Sequence, residues 1–145
     1  TNTVSARLME ATSTQGGNNN TSTINQTNNL VTAVSSGNSA TVDQGGDRNT
    51  STVGQNGVLL VANVTMDGAD GTVSVTQTGT GSDTNITQTG TLQKATTTQS
   101  GEDNLSTILQ AGSDNTATVT QTSADNISFV NQNGIGNITT VTQGN

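Results

Sequence analysis

Glutamine stands at every eleventh position over the second half of the chain, at Gln77, Gln88, Gln99, Gln110, Gln121, Gln132 and Gln143. The same spacing gives Gln44 and Gln55 upstream, with Met66 filling the next slot, and separately Gln15 and Gln26. A period held without insertion marks a repeat architecture, in which each unit buries its inner face only against its neighbours. The step from Gln26 to Gln44 is eighteen residues, and it reads as containing one shortened unit with Ser36 in the glutamine slot.

Within a unit the residue types follow a period of two. Two before the glutamine comes a branched aliphatic residue: Ile24, Val34, Val42, Val53, Val64, Val75, Ile86, Ile108, Val119, Val130 and Val141, with Thr97 the exception. Four before it the residue is mostly small, and six before it is often asparagine, as at Asn20, Asn38, Asn49, Asn104, Asn115, Asn126 and Asn137. Positions of one parity share one face of a strand, so these residues are predicted to point inward. The alternate positions, such as Thr116, Thr118 and Thr120, are largely threonine and are predicted to face solvent. Two after the glutamine comes glycine, at Gly46, Gly57, Gly68, Gly79, Gly90, Gly101, Gly112 and Gly134, where a turn of positive φ is expected.

Composition limits what such a strand can pack against. Hydrophobic residues make up 27% of 145, with one Phe and no Trp, Tyr, Pro or Cys, which is too little for an ordinary oily core. Without His or Cys there is no imidazole or thiolate for catalysis or zinc, so no enzymatic activity and no cofactor or metal is expected. Acidic turns lack the nonapeptide spacing of calcium-binding solenoids. A formal charge of -7 opposes a nucleic-acid partner, and no apolar run approaches the roughly 20 residues of a membrane span.

Two units folded as strand, arch and strand give a 22-residue rung whose inner faces meet, and stacked rungs place each residue over the one 22 positions on. Gln55, Gln77, Gln99, Gln121 and Gln143 then form one column, and Gln44, Gln88, Gln110 and Gln132 a second with Met66 as a gap. Stacked amides bond along the column as the backbone does, which lets a polar core be dry. The expected fold is all-β: a cross-β β-solenoid of about thirteen short strands, over residues 9–145 after a short lead-in of residues 1–8.

The repeat resembles the curlin repeat of bacterial curli fibre subunits, whose pattern is Gln-x-Gly-x-x-Asn, five residues, then Gln. It stands intact from Gln99-Ser100-Gly101-Glu102-Asp103-Asn104 to Gln110, from Gln110-Ala111-Gly112-Ser113-Asp114-Asn115 to Gln121, and from Gln132-Asn133-Gly134-Ile135-Gly136-Asn137 to Gln143. Leu60, Gly71 and Gln93 depart from it at the asparagine position. The resemblance implies a secreted solenoid that polymerises outside the cell into a functional amyloid and scaffolds biofilm matrix. It also implies, besides the chain itself, a minor nucleating curlin and a curli secretion pore as partners.

The residues leave one competing reading, a monomeric ice-binding solenoid using its threonine face. Asp43, Gly54, Asn63, Asn85, Leu109, Phe129 and Asn131 interrupt that face, and no cap is visible over either terminal rung. Open edges predict stacking of copies head to tail.

Overall fold

The computed structural model describes residues 9–27 and 37–144. Among them are twelve strands and no helix: β1 (Glu10–Gln15), β2 (Thr21–Thr27), β3 (Ser39–Asp47), β4 (Thr50–Val58), β5 (Val61–Ala69), β6 (Thr72–Thr80), β7 (Asp83–Thr91), β8 (Lys94–Glu102), β9 (Leu105–Ser113), β10 (Thr116–Gln121), β11 (Ile127–Ile135) and β12 (Ile138–Gln143). The odd-numbered strands form one six-stranded sheet in the order β1-β3-β5-β7-β9-β11, and the even-numbered strands form the other, in the order β2 to β12. Every pairing is parallel and in register, glutamine beside glutamine, as in Gln77↔Gln99 and Gln99↔Gln121. The chain is therefore a two-sheet β-solenoid of stacked rungs, as the eleven-residue period requires.

The step across the irregular region differs from expectation. Gln15 pairs with Gln44 and Gln26 with Gln55, each 29 residues on, so β1 lies directly on β3 and β2 directly on β4. No shortened unit stands between them in the stack. The extra seven residues fall in the connection between β2 and β3, and the described residues hold twelve strands where about thirteen were expected of the chain. Ser36, Val34 and the lead-in 1–8 lie outside the described residues.

Connections are also tighter than the four-residue turns the spacing suggested. Full-length strands run nine residues, through the glycine, and leave two residues before the next strand. The first of these two has φ between 51° and 58° in Arg48, Leu59, Asp70, Leu92, Asp103 and Asp114, and Asp125 adopts the same conformation in the longer link from β10 to β11. Asp tolerates this left-handed region better than most residues, which gives the acids at Asp70, Asp103, Asp114 and Asp125 a conformational role besides solubility. The glycine two after the glutamine answers a different need: a Cβ on Gly90 would overlap the carbonyl of Gly112 in the next rung, and one on Gly112 that of Gly134. Ser123 breaks this column, and β10 accordingly stops at Gln121.

The core between the sheets follows the parity rule. Val42, Val64, Ile86, Ile108 and Val130 line the odd sheet, and Val53, Val75, Thr97 and Val119 the even sheet, all buried, with Ile24 and Val141 packed at the edges. Leu60 is fully buried in an asparagine slot while its neighbour Leu59 is exposed. Outside, the two sheets differ: Asp43, Asn63, Asn85, Leu109, Phe129 and Asn131 sit on the odd sheet and Gly54 on the even one, leaving the threonine rows concentrated on the even sheet.

Candidate functional site

With no constellation of three or more metal-ligating side chains among the described residues, the chemistry of the molecule lies in its amide columns and in the edges of its end rungs. On the even sheet Gln26 donates Nε2 to the Oε1 of Gln55 (2.8 Å), Gln55 to Gln77 (2.9 Å), Gln77 to Gln99 (2.9 Å), Gln99 to Gln121 (2.9 Å) and Gln121 to Gln143 (2.9 Å). On the odd sheet Gln15 donates to Gln44 (2.9 Å), Gln88 to Gln110 (2.8 Å) and Gln110 to Gln132 (2.8 Å). Every bond runs in one sense, toward the C-terminal rung.

The second Nε2 hydrogen crosses the core, a bond that spacing alone did not suggest. Gln55 gives it to the carbonyl of Ser39, Gln77 to Val61, Gln99 to Asp83, Gln121 to Leu105, Gln132 to Thr116 and Gln143 to Ile127, at 2.9 to 3.0 Å. Each glutamine thus ties its own sheet to the first residue of a strand in the other. A buried amide with its hydrogens placed adds about 1 kcal/mol per bond, whereas one left unmatched costs about 1–3 kcal/mol.

The asparagines form two further columns at the strand starts, one on each side. Asn115 donates Nδ2 to the carbonyls of Ala111 and Gly134 (both 3.0 Å), and its Oδ1 accepts the backbone N–H of Asn137 (3.1 Å). Asn104 serves Asn126 in the same way (3.0 Å), Asn49 serves Gly71 (2.9 Å), Asn38 serves Leu60 (3.1 Å) and Asn20 serves Asn49 (2.8 Å). One side chain therefore satisfies polar backbone groups of the tight arch that the rung-to-rung backbone bonds, such as Asp70 N–H to Asp47 and Asp103 N–H to Thr80, do not reach. Asn38, Asn49, Asn104 and Asn115 are buried, while Asn20, Asn126 and Asn137, toward the ends, are not.

Departures from the pattern have local consequences. Met66 accepts only a weak contact from Gln44 (Nε2 to Sδ 3.7 Å), and above it the buried Oε1 of Gln88 has no partner. The methyl of Met66 lies where a side chain at Gly71 would stand, 2.8 Å from an ideal Cβ, so the two departures fit each other. Gln93 copies the donor half of an asparagine, to Thr89 (2.8 Å) and Gly112 (3.1 Å), but its Oε1 is orphaned. Ser82 and Thr84 were not singled out from the sequence. Ser82 accepts the N–H of Asn104 (3.2 Å) and Thr84 donates to the Oε1 of Gln99 (2.8 Å). Met66→Gln is expected to close the odd-sheet ladder and raise unfolding stability by about 1 kcal/mol, read as a shift in the urea midpoint at constant slope.

Arg48 and Asp70, one rung apart at the same turn position, form a two-pronged ion pair (Nε–Oδ1 and Nη2–Oδ2, both 2.7 Å). Hydrogen bonding from Arg48 holds the Asp70 carboxyl below its ordinary range, so this contribution is present above the unfolded-state pKa and fades as pH falls through the lowered one. Asp83 behaves oppositely. It is stacked between Val61 and Leu105, and burial raises its pKa; it opposes folding when ionised and ceases to as pH falls through that raised value. The charges of Arg48 and Asp70 are solvent-screened, so their pairing adds little to stability.

At the two ends of the stack, β1 and β2 on one side and β11 and β12 on the other have no described strand beyond them. Four of the large exposed apolar side chains, Ile127, Phe129, Ile135 and Ile138, belong to the last rung. Residues 94–122, the span of β8, β9 and β10, match the family model for the curlin associated repeat. No curated protein matches the chain.

Proposed function

We propose that this chain, which carries the curlin associated repeat, is a structural subunit of an extracellular, curli-like functional amyloid fibre attached to the cell surface. It adds copies head to tail, scaffolds biofilm matrix and adhesion, and has no catalytic role. One observation carries the reading: among the described residues both outermost rungs present the strand edges of parallel, in-register sheets, and the two edges are unlike. Unlike edges make a heterologous contact that extends without closing.

The same register continued across a junction sets Gln132 over Gln15 and Gln143 over Gln26 of the next copy, so both glutamine ladders run on. It also sets Val141 over Ile24. The chain itself is the main partner in this reading. The nucleating curlin and the secretion pore come with the family resemblance alone.

Incubation of the purified chain should yield thioflavin-positive fibres that diffract at ~4.7 Å and ~10 Å. A protein that stays monomeric and inhibits ice recrystallisation would support the ice-binding reading, for which the threonine-rich even sheet supplies a surface.

Assembly rate is open to the acids of the arches. Asp103 and Asp125 occupy equivalent left-handed positions one rung apart, so their like charges repel along the stack. Asparagine keeps the backbone preference and removes the charge. Asp103→Asn with Asp125→Asn should shorten the lag at low ionic strength, and the gain should shrink as salt screens the original repulsion. An unchanged lag at every salt concentration would make these acids spectators.

A further inference from the structure

We propose that the outer face of the even sheet is a second interface, by which two solenoids pair laterally, face to face, about a two-fold axis parallel to the stack. The proposal rests on the fibre reading for its repetition along an axis, but its contact is defined within one copy.

Charge separates the two outer faces. The odd sheet carries Glu10, Asp43, Asp67 and Asp83 outward, so two copies meeting there would oppose rows of carboxylates. On the even sheet no carboxylate lies between the strand starts and the residue after each glutamine. Three residues before the glutamine it presents Thr23, Thr52, Ser74, Thr96, Thr118 and Thr140, an unbroken hydroxyl row across all six strands. In a chain of formal charge -7, this is the broad face on which a second copy can approach without facing its own charge. β-branched threonine is already restricted at χ1, so little side-chain freedom is lost on contact.

The two charges that flank the face specify the symmetry. Lys94 begins β8 and Glu102 ends it; both are exposed, and Lys94 has no ion-pair partner among the described residues. They stand four residues either side of Thr98. A two-fold axis along the stack, passing over Thr98, reverses strand direction across the interface and brings Lys94 of each copy to Glu102 of the other. Such rim pairs add little affinity but fix register and exclude the misaligned alternatives. The face measures roughly 29 Å by 26 Å, from six strands ~4.8 Å apart and eight steps of ~3.3 Å. That is about 750 Å² per copy, close to the ~800 Å² each partner contributes to a standard interface, and a fibre repeats it at every subunit.

The test is mass per unit length of fibres, measured by dark-field electron microscopy at low ionic strength. Wild type should contain two chains per six rungs. Lys94→Glu and Glu102→Lys should each halve that value while still elongating, because each sets like charges opposite one another. The double exchange, Lys94→Glu with Glu102→Lys, should restore it. One chain per six rungs in the wild type, or pairing indifferent to both single changes, overturns the proposal. Should no variant polymerise, it is the fibre reading that fails. Sedimentation equilibrium of the soluble chain then decides the pairing: a dimer lost in both single variants and regained in the double supports it, and a monomer at high concentration overturns it.

Discussion

Val119→Asp is expected to prevent both folding and fibre formation, whereas Thr118→Asp, one residue away, should fold and assemble with a modest penalty. Val119 is fully buried in the even-sheet aliphatic column, one rung from its C-terminal end, between Thr97 and Val141. Its replacement forfeits about 1.5–3 kcal/mol of apolar burial. It also places a carboxylate where no donor waits, at a further cost of several kcal/mol unless the group stays protonated. Thr118 faces outward between Thr96 and Thr140, and within a single solenoid a charge there meets water and no neighbouring acid. Circular dichroism and thioflavin kinetics on the two proteins read the difference directly. Equal effects would contradict the assignment of the two faces.

Val141→Lys protein, added in small proportion to growing fibres, is expected to stop elongation at one end, while Thr142→Lys protein is incorporated and growth continues. Val141 lies inward on β12, half-buried, packed on Val119 and open on its other side among the described residues. At a junction it would be covered by Ile24 of the incoming copy, and a lysine there would have to lose its hydration without a counter-charge. Thr142 is exposed and remains so in the stack. Imaging of single fibres, both ends followed, distinguishes the cases. Extension by Val141→Lys monomers at the wild-type rate would show that the last rung is not a docking surface.

Much of this was legible from residue spacing because a parallel in-register solenoid translates sequence period into spatial position with little interpretation. Gln99 lies between Gln77 and Gln121 because each is 22 residues away, and Val119 points inward because Gln121 does. Three features were not legible. The insertion between Gln26 and Gln44 resembled a degenerate unit, since a serine at Ser36 and a valine at Val34 mimic the motif; only pairing of Gln15 with Gln44 shows that the stack skips it.

The left-handed residue of each arch was hidden because it varies in type, from Arg48 to Leu92 to Asp103, so that no one residue marks it although Asp recurs there. The cross-core bonds of the glutamines depend on how far apart the two sheets lie, which no count along the chain supplies. The Arg48–Asp70 pair and the threonine-rich even sheet could have been found by laying the charges and the outward residues out by alternate units.

Head-to-tail stacking of an intact solenoid makes a prediction about the fibre that ordinary cross-β packing does not. Six rungs ~4.8 Å apart give a rise of about 29 Å per chain, with backbone ladders continuous at ~4.8 Å through the junctions. Helical reconstruction of the fibre by electron cryo-microscopy measures that rise. The account predicts about 29 Å, with β11 and β12 of one copy followed by β1 and β2 of the next and Gln132 set over Gln15. A rise of one strand spacing, about 4.8 Å per chain, would mean that the chains lie flat and in register on one another, and would contradict it.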